Sequence, residues 1–277
     1  MKLWRTETAA NGVAIALYEN PPMNYFCAQG TQELGELIRS WTDPNVRAVV
    51  LSGALPGKFI THYSVEELAA LASDHATMKA LGLALNHGYH ELLRSLRDLQ
   101  KPVIVAMNGD TMGGGFELSL SCDIRIAAAG DFRIGLPEVT LGILPGGSGT
   151  QRLSRLLGTG KAIDFILRGR ICRPEEALEI GLVHEVAPDA LARAKALATQ
   201  LAELSPVAVA QIKRAVYQGV ELHLDAGLVI ESEAFMETMF SPEGLAEMKA
   251  YVALPLDKRR DWLERRQHTL HPRNPAK

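Results

Sequence analysis

The chain has 277 residues, of which 47% are hydrophobic and 22% charged, with a formal net charge of −3. These values are typical of a globular protein and exclude a disordered chain, a collagen-like repeat and a disulfide scaffold. The slightly acidic balance gives no reason to expect a nucleic-acid partner. No apolar stretch approaches the ~20 residues of a membrane span, and the N-terminal segment lacks the layout of a signal peptide. We therefore expect a cytoplasmic protein with no membrane partner.

The three cysteines, Cys27, Cys122 and Cys172, are an odd number and include no CxxC spacing. This pattern predicts neither a disulfide framework nor a zinc site. We expect all three to be small buried residues of a reduced compartment, and we expect no metal site.

Strand and helix patterns alternate along residues 1–204. Short apolar runs that end at breaker residues predict strands over 12–19, 46–51, 101–107, 122–127 and 182–186. Apolar residues at helical spacing predict helices over 32–41, 64–71, 75–99 and 189–204. Continuous apolar strands separated by helices favour a layered α/β core with parallel pairing.

The pattern becomes almost wholly helical over residues 205–277. Ser205-Pro206 is a helix start signal, and strand signals are few beyond it. The segment is rich in apolar side chains, so it is expected to pack on the core or on another subunit: Leu222, Leu224, Leu228, Ile230, Phe235, Met236, Met239 and Phe240. We therefore divide the chain into an α/β region, 1–204, and a helical region, 205–277.

A glycine-rich turn over residues 109–115 lies between a predicted strand and a predicted helix. Glycine allows the backbone to approach a ligand closely, and the first N–H groups of the helix are unpaired. Neither phosphate-binding motif is present, because Gly160-Lys161 is followed by Ala162 and no GxGxxG is complete. An oxyanion is therefore the better predicted ligand, and simple close packing of helix against strand is the alternative.

Two glutamates accompany the glycine-rich turns. Glu117 follows the triple glycine, and Glu138 precedes a second glycine-rich turn over residues 145–149. Taken alone, Glu117 could complement the helix dipole and Glu138 could be an exposed loop acid. Together, beside an oxyanion site, they could hold a water molecule and move protons if burial tuned one of them towards neutral pH.

The third segment of interest precedes the helix predicted over residues 64–71. Ser64 and Glu67 form a capping box, which places the backbone around Tyr63 beside a helix N-terminus. His62 is either a catalytic base or a polar loop residue.

These segments, in this order, resemble the enoyl-CoA hydratase/isomerase (crotonase) family. The resemblance covers nearly all of the α/β region and the start of the helical region. The matching stretches are 20–24, 101–109, 113–118, Cys122-Asp123, 135–138, 141–153, 177–183 and Ser205-Pro206.

The resemblance implies a crotonase-like spiral of ββα units whose C-terminal helical region packs in a homotrimer or a dimer of trimers. It implies an acyl-CoA substrate, with coenzyme A as part of that substrate and no separate cofactor. The backbone N–H groups of Tyr63 and Gly114 would bind the thioester oxygen, and Glu117 and Glu138 would act as acid/base groups. Substrate-binding positions are expected at Thr61, His62, Val65, Gly113, Pro137 and Gly146.

The presence of both glutamates favours hydration of a trans-2-enoyl-CoA to a 3-hydroxyacyl-CoA. The alternatives are another reaction of the family (double-bond isomerisation, thioester hydrolysis or dehydration of a specialised acyl-CoA) and acyl-CoA binding without catalysis. One departure from the family pattern keeps these open, because His62 and Tyr63 stand where the family usually has Gly and Ala. Tyr63 still provides the backbone N–H donor, because replacing an alanine by a tyrosine changes only the side chain. A histidine would be strained if the glycine served a positive φ, and its imidazole could line the pocket.

Overall fold

The computed structural model describes residues 2–270, with side chains described through residue 264. Residue 1 and residues 271–277, the ends of the two predicted regions, lie outside the described residues. The strands are β1 (Trp4–Thr8), β2 (Val13–Tyr18), β3 (Ala48–Gly53), β4 (Gly57–Lys58), β5 (Val103–Met107), β6 (Gly109–Met112), β7 (Ile124–Ala128), β8 (Ile134–Gly135), β9 (Ile171–Cys172) and β10 (Glu185–Ala187).

Helices follow most of the strands and form the whole C-terminal part of the described chain. They are α1 (Ala28–Ser40), α2 (Val65–Ser73), α3 (His75–Leu81), α4 (His87–Asp98), α5 (Gly114–Ser119), α6 (Gly149–Leu157), α7 (Thr159–Leu167), α8 (Pro174–Glu179), α9 (Ala190–Ala202), α10 (Pro206–Gly219), α11 (Leu224–Phe240), α12 (Pro242–Ala253) and α13 (Leu256–Leu270). Gly82–Ala84 and Glu138–Leu141 are short 3-10 helices.

The larger sheet has six strands in the order β1-β2-β3-β5-β7-β10. Strand β1 runs antiparallel to β2, and all other neighbours are parallel. Strands β3 and β5 are buried along their full length, as expected for parallel strands covered on both faces. The predicted parallel α/β core is confirmed.

A smaller sheet has the order β4-β6-β8-β9. Strands β3, β5 and β7 of the larger sheet are each followed at once by a strand of the smaller one, namely β4, β6 and β8. The chain therefore winds as a spiral of ββα turns, which confirms the fold expected from the resemblance. The individual residues did not predict the smaller sheet, because its strands have only two to four residues, too few for an apolar alternation, and three of the four contain a glycine.

The single helix predicted over residues 75–99 is wrong. Helix α3 ends at Leu81, and the φ of 51° at the following Gly82 is left-handed, a conformation that strongly favours glycine. A 3-10 turn follows, and α4 begins at His87. The break gives α4 its own orientation, with Leu92, Leu93 and Leu96 buried in the core.

The core lies on both faces of the larger sheet. Alternate residues of β3 point to opposite sides, so that Val49 and Leu51 join the cluster that includes α1 and α4. Ala48 and Val50 pack with helix α9 on the other side. The residues that α9 buries are mostly alanines, which allow the helix to lie close to the sheet: Ala190, Ala194, Leu197, Ala198 and Ala202.

Helix α10 connects the helical region to the core through polar contacts with Asp123. Lys213 Nζ lies 2.7 Å from Asp123 Oδ2, and Tyr217 donates a 2.7 Å hydrogen bond to Oδ1. The boundary at residues 204 and 205 stays a prediction.

Helices α11 and α12 leave many apolar side chains exposed: Leu224, Leu228, Val229, Phe235, Met236, Met239, Phe240, Leu245, Met248 and Val252. Within residues 2–270, no helix combines the length and apolar character that a membrane crossing requires.

Cys122 and Cys172 are buried as predicted, Cys27 is half-buried, and all three are free thiols.

Candidate active site

The loop before helix α2 runs alongside the first glycine-rich turn. Strand β4 pairs with β6, and beyond this pairing the Met112 N–H donates a 2.8 Å hydrogen bond to the Thr61 carbonyl. A Cβ on Gly115 would stand 2.0 Å from the Ile60 carbonyl oxygen. Only glycine therefore lets the start of α5 lie this close to the loop, so the close-packing interpretation of these glycines is correct in itself.

This packing places the backbone amides of Tyr63 and Gly114 side by side. The Phe26 N–H donates to the His62 carbonyl and the Ser64 N–H donates to the Phe26 carbonyl, so the N–H of Tyr63 points away from Phe26. Gly114 is the first residue of α5, where the helix supplies no acceptor for its N–H. A Cβ on Gly114 would lie 3.5 Å from the Tyr63 nitrogen. Across residues 2–270, neither N–H donates to a protein acceptor, so both can bind one carbonyl oxygen of a ligand.

The Tyr63 side chain takes part in an aromatic cluster. Its ring meets those of Phe26 and Tyr89 edge-on, with centroid distances of 6.2 and 6.0 Å. Burial raises the pKa of the Tyr63 phenol well above its usual value, and the Glu67 carboxylate adds to the effect. The phenol therefore remains protonated at neutral pH.

His62 stacks on Tyr25, with ring centroids 4.1 Å apart and ring planes 26° apart. Its Nδ1 lies 2.6 Å from the Tyr63 carbonyl oxygen, so this nitrogen carries a proton and donates. In the described part of the chain, only Asn24 and Ser148 among non-glycine residues have positive φ. His62 therefore takes the place of the family's glycine without the backbone strain considered above.

Glu117 is buried, with 3% of its surface exposed. Its Oε1 accepts a 2.6 Å hydrogen bond from the Gly149 N–H of the second glycine-rich turn. A Cβ on Gly147 would stand 2.4 Å from Oε2. The pKa of Glu117 is raised to about 8, mainly by burial and also by the nearby Glu138 carboxylate, whereas the Gly149 and Gly147 amides favour the charged form. The carboxyl group thus contacts the second turn, and its role goes beyond complementing the dipole of α5.

Glu138 opens the 3-10 helix after Pro137 and is only 9% exposed. The interpretation of Glu138 as an exposed loop acid is therefore wrong. Burial raises its pKa to about 7. Its Oε1 lies 3.0 Å from the point where a Cβ on Gly113 would stand. Among the described residues, Oε2 has no hydrogen-bond partner although it is buried, which leaves it available to a ligand.

Most of the residues singled out in the sequence lie together. Thr61 is buried and donates through Oγ1 to the Met23 carbonyl, 2.5 Å away. Gly113 donates to the Gly135 carbonyl at 3.0 Å, which places the first turn beside the strand that leads to Glu138. Pro137 immediately precedes Glu138, and Gly146 precedes the glycine that contacts Glu117. Val65 is half-buried and opens helix α2, at the edge of this group.

Three residues of α4 and its N-terminus also reach this site, and the sequence did not single them out. The Tyr89 hydroxyl donates to the Gly114 carbonyl at 2.7 Å. Asn86 Nδ2 and His90 Nε2 lie 2.8 and 2.7 Å from the Gly146 carbonyl oxygen. The only sequence signal was polar residues at helical spacing within a segment predicted as one long helix.

The sequence profile of the enoyl-CoA hydratase/isomerase family matches residues 8–259. The chain belongs to this family. The short-chain-enoyl-CoA hydratase of Clostridium acetobutylicum is 39% identical over 212 residues, which cover 76% of this chain and 78% of the relative. The probable enoyl-CoA hydratase of Bacillus subtilis is 34% identical over 245 residues, covering 87% and 92%.

Solved structures of family members agree with this assignment. The crystal structure of an enoyl-CoA hydratase from Bacillus anthracis superposes with a TM-score of 0.82 at 31% identity, covering 90% of this chain and 95% of the other. The family assignment predicted from the sequence is confirmed, as is the prediction that the chain is an enzyme, a hydro-lyase resembling enoyl-CoA hydratases.

Proposed function

We propose that the protein adds water across the 2,3 double bond of a trans-2-enoyl-CoA to give a 3-hydroxyacyl-CoA. The observation that carries the proposal is the pair of buried carboxyl groups, Glu117 and Glu138, whose pKa values are raised to about 8 and about 7. Acid/base catalysis is most efficient when the catalytic pKa lies near the working pH. The names of the relatives, which are enoyl-CoA hydratases, support the same reaction.

In the proposed reaction the thioester oxygen accepts hydrogen bonds from the N–H groups of Tyr63 and Gly114. A water oxygen bonds to C3 while the electrons of the double bond move towards the thioester oxygen as an enolate. Glu117 orients the water and helps to remove its proton. Glu138 is the main acid/base and delivers a proton to C2, which completes the addition. Loss of one oxyanion donor typically costs ~3 kcal/mol, or about 100-fold or more in rate.

The pair of glutamates can share the two opposite tasks because one must be charged while the other carries a proton. Each carboxylate raises the cost of ionising its neighbour in a buried site. Burial gives Glu117 the higher pKa of the two, so Glu117 must lose its proton before it can accept one from water. The Gly149 hydrogen bond favours that charged form. The unpartnered Oε2 of Glu138 is free to face substrate.

Hydration involves no net oxidation or reduction, so the reaction as proposed needs only acyl-CoA and water. Substrate contacts are proposed at Thr61, His62, Val65, Gly113, Pro137 and Gly146. The position of the Tyr63 phenol within the aromatic cluster disfavours a rival reaction that depends on that hydroxyl.

We also propose that the protein is a cytoplasmic homotrimer or dimer of trimers that assembles through the helical region. The exposed apolar side chains of α11 and α12 support this assembly. Phe240 and Leu224, for example, are 79% and 76% exposed. A large exposed apolar surface of this kind is typical of a protein–protein interface.

A panel of trans-2-enoyl-CoAs and 3-oxoacyl-CoAs, incubated with the protein and analysed by mass spectrometry, tests the proposed reaction. The expected product is the 3-hydroxyacyl-CoA, heavier than the enoyl-CoA by one water. A shifted double bond or free coenzyme A would support one of the rival reactions. If calorimetry shows that an acyl-CoA binds and mass spectrometry shows no conversion, the protein would be a non-catalytic acyl-CoA binder.

A further inference from the structure

Two polar side chains at the start of helix α4 bind one carbonyl of the second glycine-rich turn. Asn86 Nδ2 donates to the Gly146 carbonyl oxygen at 2.8 Å, and His90 Nε2 lies 2.7 Å from the same oxygen. The two residues are four apart and so lie on the same side of the helix. A carbonyl oxygen has two lone pairs and can accept both hydrogen bonds. Since it can only accept, Nε2 of His90 carries a proton.

The Asn86 side chain contacts Gly146 and does not cap helix α4. It occupies the N-cap position of α4, where an asparagine side chain normally accepts a hydrogen bond from the helix backbone. Its side chain makes no capping hydrogen bond here. The amide is directed at Gly146 instead.

The anchored carbonyl lies next to the groups that bind Glu117. The Gly149 N–H donates to Glu117 Oε1 at 2.6 Å, and the Gly147 amide also favours the charged carboxylate. The Tyr89 ring packs against Gly147, where an added Cβ would stand 2.4 Å from the ring. With Gly146 anchored from one side and Gly147 covered by an aromatic ring, the turn is confined to the arrangement that presents its amides to Glu117.

We propose that Asn86 and His90 are positioning residues of the hydration reaction, which act through the Gly146 carbonyl to hold the Gly149 amide against Glu117. The inference rests on the proposed function and adds two residues of α4 and its N-cap to the support of the site. Neither side chain needs to touch the substrate for this role.

His90→Leu removes the donor, and His90→Gln places an amide nitrogen near the position of Nε2. We expect His90→Leu to lower kcat for crotonyl-CoA about tenfold, a factor typical of losing one hydrogen bond, with KM within threefold of wild type. The kcat and the KM of His90→Gln should both stay within threefold of the wild-type values. Asn86→Ala should act in the same direction but less strongly, because the carbonyl keeps one donor. His87→Leu, at an exposed histidine of the same helix, is the matched control and should leave kcat unchanged.

The pH profile gives a readout that general destabilisation does not produce. A weaker Gly149 hydrogen bond favours the protonated form of Glu117, so the ascending limb of kcat should move to higher pH in His90→Leu and stay in place in His90→Gln. The other titratable or charged groups facing Glu117 are Glu138, Arg152 and Tyr89, and none of them is altered.

The decisive comparison repeats His90→Leu in a Glu117→Gln background. If His90 acts through Glu117, the added change should cost less than twofold of the residual rate. An undiminished tenfold loss in that background, a His90→Gln variant as poor as His90→Leu, or wild-type kinetics in His90→Leu would overturn the inference.

A substrate-independent measurement separates this inference from the proposed function. Infrared titration of the carboxyl groups, with the Glu117 band assigned from Glu117→Gln, should show the same upward pKa shift in His90→Leu only. If wild-type protein hydrates no enoyl-CoA, the proposed function fails, and an unshifted Glu117 band would separately overturn the positioning of Glu117 by His90.

Discussion

Glu117 Oε1 lies 2.6 Å from the backbone nitrogen of Gly149, thirty-two residues further along the chain. This contact joins the two glycine-rich turns, because Glu117 belongs to the helix that begins at the first turn and Gly149 ends the second. The buried carboxyl group therefore depends on backbone positions in both segments. Changes to either turn should affect catalysis through Glu117.

Gly147→Ala should lower kcat for crotonyl-CoA at least tenfold. The added methyl group would stand 2.4 Å from both Glu117 Oε2 and the Tyr89 ring, and overpacking of this kind typically costs about 1–3 kcal/mol of stability. Gly160→Ala in α7 is the control, because nothing lies within 4 Å of its Cβ position and its φ is not positive. Steady-state kinetics and thermal unfolding of both variants measure the difference. Equal activity in the two would show that the turn is not tightly packed against Glu117.

Wild-type stability should fall relative to Glu117→Gln as the pH rises from 5 to 9. Folding raises the pKa of this carboxyl group from 4.5 to about 8, so the folded state binds its proton more tightly than the unfolded state does. That contribution is complete below the unfolded pKa and is lost as the pH rises through the folded value. The difference is on the order of a few kcal/mol, or about 5–10 °C in Tm.

Thermal unfolding across this pH range measures the effect in wild type, Glu117→Gln and the control Glu36→Gln, at an exposed residue of α1. The substitution itself should shift Tm by an amount that does not depend on pH. Beyond that shift, the Tm of Glu117→Gln minus the Tm of wild type should increase steadily with pH. The control should follow wild type at every pH. A gap that stays constant from pH 5 to pH 9 would contradict a raised pKa at Glu117.

His62→Ala should lower kcat about fivefold, whereas His62→Asn should retain most of it. The imidazole donates to the Tyr63 carbonyl at 2.6 Å and so restrains the residue whose N–H is proposed to bind the thioester oxygen. An asparagine amide can replace Nδ1 as donor, and one hydrogen bond of this type is worth about 1 kcal/mol. Kinetics with crotonyl-CoA measure the effect, with the exposed His75→Ala as the control. A full loss of activity in His62→Asn would instead indicate that the imidazole takes part in chemistry.

Phe240→Glu should dissociate the proposed assembly. Phe240 is 79% exposed in the single chain, and a buried charge in an apolar interface without a partner is strongly unfavourable. Size-exclusion chromatography with light scattering should show a trimer or hexamer for wild type and for the apolar control Phe240→Leu, and a smaller species for Phe240→Glu. A monomeric wild type would contradict the proposal, and an unchanged assembly in Phe240→Glu would exclude Phe240 from the interface.

Five of the six strands of the larger sheet, all except β1, could be predicted because they lie in short apolar runs with clear breakers. Strand β1 was missed because only Trp4 of its five residues is buried and the others are exposed. The caps of two helices were also readable, since Ser64 accepts from the Glu67 N–H and Ser205 from the Ala208 N–H as expected. Strands β4, β6, β8 and β9 gave no such signal, because their pairing depends on the spiral bringing glycine-containing segments together. The break between α3 and α4 at Gly82 could not be predicted, because the leucines on either side of it continue the helical pattern.

The same contrast holds for the site. Glu117 and Glu138 could be identified as a pair, but the burial of Glu138 comes from packing between segments and has no local signature. Asn86 and His90 lie more than fifty residues from Gly146 in sequence, so only the folded chain reveals their contact.

The most direct test of the central claim is the rate of crotonyl-CoA hydration by wild type, Glu117→Gln and Glu138→Gln, with the folded state of each checked by circular dichroism. If the two buried carboxyl groups manage the protons of the added water, each substitution should lower kcat by a factor of about 100 or more, with substrate binding largely retained. Wild-type turnover in both variants would contradict the account.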